Sequence, residues 1–167
     1  KAADFRDFLS RESISQNQLA DIGFTAARRR SHYDYRLAVS GQTAADLVQK
    51  LDTWLEKSPD VAPATINPKV VFVCSGQGPQ WWAMGRQLLE TERVFRQAIE
   101  QIDQLLRPLA KWSLIEELSA DEAHSQLNRT AFAQPALFAM QVALAALWRS
   151  WGVQPDMIIG HSVGEIA

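Results

Sequence analysis

With 167 residues, 47% of them hydrophobic and 22% charged, the chain has room for one ordinary domain or two small ones and the composition of a globular protein. A net charge of −2 excludes an electrostatic bias towards nucleic acid or an anionic membrane surface, and the single cysteine, Cys74, excludes an internal disulfide framework or a multi-cysteine zinc site. No apolar run approaches the roughly 20 residues needed to span a bilayer, and Asp4, Arg6 and Asp7 interrupt the start as no signal peptide would, so the expected location is the cytoplasm.

Lys1 to Leu9 sets Phe5, Phe8 and Leu9 among charges, the pattern of an amphipathic helix. Ser15 offers an N-cap, and Leu19, Ile22, Gly23 and Ala26 then recur at helical spacing to about Ala27. Arg28-Arg29-Arg30 follows in the last turn, where cations suit the helix dipole; with the overall charge near neutral, it reads as a solvated helix end rather than a phosphate patch. Tyr33, Tyr35, Leu37 and Val39 alternate with Asp34, Arg36 and Ala38, predicting a half-buried strand that Gly41 breaks. Thr43 opens a helix to about Leu55, with Asp46 in the capping-box position and Leu47, Leu51, Trp54 and Leu55 as its apolar stripe. Residues 1–57 thus read as helix, helix, strand, helix: a small α/β unit, with His32 at its surface and no catalytic constellation.

Ser58 to Lys69 carries Pro59, Pro63 and Pro68 without periodicity and is the expected boundary, dividing the chain into 1–68 and 69–167. At Val70 the pattern becomes a continuous apolar run to Cys74, as expected of a strand covered on both faces in a parallel sheet, with Cys74 as a buried structural thiol. Ser75-Gly76-Gln77-Gly78-Pro79-Gln80 follows. Such a loop brings backbone N–H groups close to a ligand, but it lacks the third glycine of a dinucleotide fingerprint and the Gly-Lys-Ser/Thr ending of a P-loop. Trp81, Trp82, Met84 and Leu88 suggest a short helix beside the loop, the paired tryptophans serving core or lid packing rather than ligand stacking.

Thr91 to about Leu106 is amphipathic, with Val94, Phe95, Ala98, Ile99, Ile102, Leu105 and Leu106 on one face and Pro108 as its stop. Trp112 to Leu118 reads as a short helix and Asp121-Glu122-Ala123-His124 as a polar connection. Pro135 to about Trp148 is apolar nearly all round, Gln141 excepted, and predicts a buried helix with Pro135 in its first turn. After Gly152 and Pro155, Met157-Ile158-Ile159 gives a second strand, so that strand, helical excursion and strand imply a parallel pair. Gly160-His161-Ser162-Val163-Gly164 then has the strand–turn–helix order of a nucleophile elbow. Ser162 would stand at the tip of the turn, and the N–H of Val163 would face an oxyanion formed there.

Three ordered blocks carry a family resemblance: Ser75 to Leu88 (SGQGPQWWAMGRQL), Ala133 to Val153 (AQPALFAMQVALAALWRSWGV) and Gly160 to Glu165 (GHSVGE). With Ala27 to Val39 (ARRRSHYDYRLAV), the whole chain resembles a region of type I modular polyketide synthases. Residues 1–68 look like the linker domain between ketosynthase and acyltransferase. Residues 69–167 look like the N-terminal part of an acyltransferase related to malonyl-CoA:acyl-carrier-protein transacylases, an incomplete parallel-sheet, hydrolase-like core.

The resemblance implies that Ser162 takes an acyl group from acyl-CoA and passes it to a phosphopantetheine thiol on an acyl carrier protein. It implies that the backbone N–H groups of Gln77 and Val163 form the oxyanion hole, and that His161, Gly76 and Gly78 line the substrate site. No metal and no bound cofactor is implied for the domain itself. The implied partners are the carrier protein, the adjacent ketosynthase and the remainder of the acyltransferase, within a homodimeric whole. A branched aliphatic at Val163 leans towards malonyl as extender. The family's catalytic histidine and carboxylate-pairing arginine fall downstream of Ala167, so the chain alone is expected to be inactive and its last strand to leave apolar surface open. An α/β-hydrolase-type esterase or thioesterase, which shares G-x-S-x-G, and a non-catalytic interdomain scaffold are the alternatives.

Overall fold

The computed structural model describes all residues except Glu12, Ser58 and Ile66; the last two belong to the stretch read as a boundary, and that part of the reading lies outside the described residues. The chain is mixed α/β and separates into two compact units, Lys1–Asn67 and Pro68–Ala167.

The first unit holds α1 (Ala2–Arg11), α2 (Gln16–Arg28) and α3 (Ala44–Lys57) around a small core of Leu9, Leu19 and Leu51. Ser15 caps α2 as its side chain accepts from the Gln18 N–H, while the Gln18 side chain accepts from the Ser15 N–H; this box satisfies two otherwise orphaned donors. At α3 the Asp46 N–H donates to Thr43 Oγ1, and the Asp46 carboxylate accepts from the Gln42 N–H and from Lys50. The Lys50 ammonium, followed by that N–H, holds the Asp46 carboxyl below its ordinary range.

The strand expected over 33–39 is not formed: Tyr33, Tyr35 and Leu37 are exposed, and among the described residues the segment makes one backbone bond, from Ala64 N–H to the Asp34 carbonyl. Alternation fixes which side chains share a face, but a strand also needs a neighbour to complete its ladder, and a single bond supplies none. Among the described residues both strands therefore lie in the second unit. Arg28, Arg29 and Arg30 are exposed, as is His32, whose Nε2 lies 2.9 Å from the Ala27 carbonyl at the end of α2.

The second unit runs β1 (Val71–Cys74), α4 (Arg86–Thr91), α5 (Arg93–Ala110), α6 (Leu114–Ser119), α7 (Thr130–Ser150), β2 (Met157–Gly160) and a 3₁₀ turn over Ser162–Glu165. The strands pair in parallel with Val71 opposite Met157 and Cys74 opposite Gly160. Asp156 locks the entry to this pair: its carboxylate accepts from the Val70 N–H and from Lys69, which keeps it below the usual carboxylate range, Lys69 contributing most. The expectation of a β1 covered on both faces is corrected: only its Phe72 and Cys74 side is half-buried and Val73 is 74% exposed. On β2, Met157, Ile158 and Ile159 are open to solvent, in line with the apolar surface expected at the last strand. Cys74 is accordingly a half-buried free thiol rather than a buried one.

The core lies between α5 and α7, where Phe95, Ile99, Leu114 and Leu118 pack on Ala136, Leu137 and Met140. Several boundaries differ from the sequence reading. Ala83 and Gly85 adopt left-handed conformations that interrupt the expected helix at Trp81, so α4 begins only at Arg86. Trp81 is exposed and belongs to no core; Trp82 donates to the Ala120 carbonyl and lies under the Arg86 guanidinium. Pro108 does not stop α5, which continues to Ala110 and ends with Lys111 left-handed at φ 64°. α7 starts at Thr130, so Pro135 falls in its second turn, where the ring leaves the Ala131 carbonyl without a helical donor. At 21 residues, and by composition, α7 is long and apolar enough to cross a membrane, which corrects the reading of no such run; its buried side chains pack on α5.

On α5, Leu105 is 75% exposed, whereas Asp103 is buried. At 100° per residue these two flank the Phe95–Ile99–Ile102 stripe on opposite sides, and the core lies on the side of Asp103. Its Oδ1 accepts from Ser113 Oγ at 3.0 Å and from the Leu114 N–H at 2.6 Å, tying the first turn of α6 to α5. Asp103→Ala would strand both donors in the interior, and is expected to cost about 3 kcal/mol. The check is a lower urea midpoint at unchanged m-value; a midpoint matching the parent would show that the tie is dispensable.

Candidate functional site

The residues singled out at opposite ends of the second unit meet where β1 and β2 end. Because the strands are parallel and in register at Cys74 and Gly160, the loop leaving β1 and the turn leaving β2 emerge side by side. The His161 N–H donates to the Cys74 carbonyl at 3.0 Å, extending the ladder by one bond. The chain then turns sharply: Ser162 is left-handed at φ 55°, and the Gly164 N–H closes back on the His161 carbonyl at 2.9 Å. A positive φ at a residue with a Cβ is strained, and it lifts the serine side chain out of the ladder's pleat to the exposed tip of the turn. The helix expected beyond it is the 3₁₀ turn, with the Ile166 N–H bonded to the Val163 carbonyl.

A Cβ would be crowded at three glycines around this turn, by backbone at Gly160 and Gly164 and by the side chains of the turn at Gly76. A Cβ on Gly160 would stand 2.6 Å from Cα of Glu165. One on Gly164 would stand 2.6 Å from the carbonyl carbon of Cys74 and 2.7 Å from the Ser75 oxygen. One on Gly76 would meet Nδ1 of His161 at 2.8 Å and Cβ of Ser162 at 3.0 Å. The last contact joins the two motifs: the Gly76 backbone lies directly against the Ser162 side chain.

Polar side chains of α7 fix the loop from the other side. Gln77 Nε2 donates to Thr130 Oγ1 and Gln134 Nε2 donates to Gln77 Oε1, both at 3.2 Å. Gln141 Nε2 donates to the Ser75 carbonyl at 3.1 Å. The Gly78 N–H is engaged by Oε1 of Gln80 at 2.8 Å, and Gly78 itself is left-handed at φ 139° with open space where a Cβ would be. Among the described residues, the Ser162 hydroxyl and the N–H groups of Gln77 and Val163 have no hydrogen-bond partner. The site therefore offers a hydroxyl and two unclaimed backbone donors on adjoining turns.

The histidines are placed apart from that hydroxyl's chemistry. His161 is exposed and lies against Gly76 without bonding Ser162, and His32 belongs to the other unit. His124 lies 2.7 Å from Asp121 and, as that carboxylate's largest influence, holds it below its usual range. Thr130, Gln134 and Gln141 were not read from the sequence as site residues. Their spacing of four and seven places all three on one stripe of a helix otherwise apolar, a signal the sequence does carry.

Residues 71–167 match the family described as acyl transferase domain, and residues 1–64 match the family described as CurL-like, PKS C-terminal. A highly reducing polyketide synthase, pks5, of Leptosphaeria maculans is 40% identical over 162 residues, which are 94% of this chain and 6% of that protein. Erythronolide synthase EryA2 of Saccharopolyspora erythraea is 40% identical over 153 residues, 89% of this chain and 4% of its own. The chain thus spans a small fraction of the curated relatives it matches. Among solved structures, the acyltransferase domain from module 8 of the salinomycin polyketide synthase is 34% identical with a TM-score of 0.78, covering 99% of this chain and 40% of that one. The strand pair, the glycine loop and the serine turn all fall within the matched residues, and the chain belongs to the acyl transferase domain family, in the form found in type I modular polyketide synthases.

Proposed function

We propose that the chain is part of a polyketide synthase acyltransferase that loads a malonyl-type acyl group from acyl-CoA onto Ser162 and passes it to an acyl-carrier-protein phosphopantetheine thiol. The observation that carries this reading is the 3.0 Å approach of the Gly76 Cβ position to Ser162 Cβ, at the residue just before Gln77, whose N–H has no partner among the described residues. In the forward half-reaction Ser162 Oγ attacks the thioester carbonyl. Its proton leaves to a base, the carbonyl oxygen takes up negative charge facing the N–H groups of Gln77 and Val163, and the C–S bond breaks to release CoA as its thiol. In the second half the pantetheine thiol attacks the serine ester and the hydroxyl is restored. Donors fixed before the reaction stabilise the oxyanion without reorganisation, each worth roughly 2.7–4 kcal/mol.

In this reading Gly76, Gly78 and His161 line the acyl site, and Val163 favours malonyl over bulkier extenders. A histidine takes the Ser162 proton in this reading, and among the described residues none of His32, His124 and His161 bonds Ser162. Residues 1–68 serve as the linker to a ketosynthase in a homodimeric cytoplasmic synthase, and phosphopantetheine enters on the carrier protein rather than as a resident cofactor. Incubating the whole synthase, with its carrier domain's pantetheine removed, with malonyl-CoA should add one malonyl mass to the peptide bearing Ser162. An unmodified Ser162 with the label elsewhere would refute the assignment.

A further inference from the structure

Gln141 is the polar residue of the apolar helix α7 that reaches the main chain of β1's trailing loop, at Ser75. Its Nε2 bonds two carbonyls, Ser75 at 3.1 Å and Leu137 at 3.1 Å, while its Oε1 is buried with no partner among the described residues. A buried amide oxygen left unpaired opposes folding, so an apolar residue of the same length would serve the core better. The Ser75 carbonyl belongs to an exposed residue of the loop, and Gln141 is its side-chain partner from α7. What the bond does do is fix the Ser75 carbonyl, which shares its peptide group with the Gly76 N–H and lies one peptide from the N–H of Gln77. Thr130 and Gln134 hold the Gln77 side chain, and its main-chain N–H has no partner among the described residues.

We propose that Gln141 is a positioning residue: its donation to the Ser75 carbonyl sets the Gln77 N–H at the distance from Ser162 that oxyanion stabilisation requires. The inference rests on the acyl-transfer reading of Ser162. It acts through the loop and touches no substrate, so its loss weakens the transition state more than the bound ground state. Misplacement by about 1 Å typically lowers turnover on the order of 10²-fold.

The test measures acyl-enzyme formation by the whole synthase with malonyl-CoA for the parent, Gln141→Leu, Gln141→Glu and Ser162→Ala. Leucine removes both polar atoms, whereas glutamate at neutral pH keeps an acceptor at Oε1 and loses the donor. The expected result is a kcat lowered about 10- to 10²-fold in both Gln141 variants, with KM within about twofold of the parent and, for Gln141→Leu, a thermal midpoint equal to or above it. Parent kcat in Gln141→Leu, retained activity in Gln141→Glu, a rise in KM alone, or loss of fold in both would overturn the positioning role. Activity surviving in Ser162→Ala would instead overturn the reading of the site itself, which keeps the two failures separate.

Discussion

Ser162→Ala is expected to lower acyl transfer by the whole synthase about 10⁶-fold while leaving the fold in place. On the proposed reading, the size follows from the loss of the atom that forms the covalent bond; backbone donors around an empty position have no tetrahedral intermediate to hold. That the fold survives follows from the backbone. The hydroxyl makes no hydrogen bond among the described residues, and alanine carries the same Cβ into the same left-handed conformation at φ 55°. A glycine at this position removes the strain as well. Ser162→Gly should therefore be more stable than Ser162→Ala by about 1 kcal/mol, and equally inactive. Malonyl-CoA turnover and urea unfolding of the three proteins check both statements together. Equal stability of the alanine and glycine variants would mean that the turn is not strained at Ser162, and the elbow would lose its physical basis.

That strained turn was legible before the fold was known, and the reason is steric. G-x-S-x-G between an apolar run and a helix-compatible segment has few conformations open to it, and two of its glycines prove to stand where a Cβ would strike backbone. The two strands were legible for a related reason: each is a short apolar run ended by glycine. The parallel pairing followed from the helical length between them. What periodicity could not report was the neighbour. Tyr33 to Val39 alternates as a strand should, but without a ladder partner the segment stays irregular. On α5 the apolar letters counted Leu105 in and Asp103 out. The fold reverses both, because a carboxylate that finds Ser113 and the Leu114 N–H can be buried while a leucine on the far edge of the stripe faces water. Pro108 and Pro135 were read as a stop and a start, yet each sits inside a helix. Proline removes one hydrogen bond, and helices packed as fully as α5 and α7 absorb that loss. The glutamines of α7 were visible as exceptions to an apolar pattern, but their purpose required the loop to be brought beside them.

Gly164→Ala is expected to be the most damaging single-methyl substitution at the site, costing about 3 kcal/mol of stability and abolishing acyl-enzyme formation. The added Cβ would have the Cys74 carbonyl as its nearest neighbour, with the Cys74 carbonyl carbon at 2.6 Å and the Ser75 oxygen at 2.7 Å. These are main-chain atoms at the end of β1, so no rotamer change relieves the contact. Something in the backbone must move. The Cys74 carbonyl is also the acceptor for the His161 N–H, and the Ser75 carbonyl is the acceptor for Gln141, so moving either separates the serine turn from the glycine loop. Gly78→Ala isolates the conformational part of the effect, because Gly78 is left-handed at φ 139° but has open space around its Cβ position. It should lose only about 1–2 kcal/mol. Urea midpoints of the two variants, read beside the yield of malonyl-serine, decide the matter. If Gly164→Ala unfolds no earlier than Gly78→Ala and still acylates, close packing of the turn against β1 is not what holds the serine and the loop together.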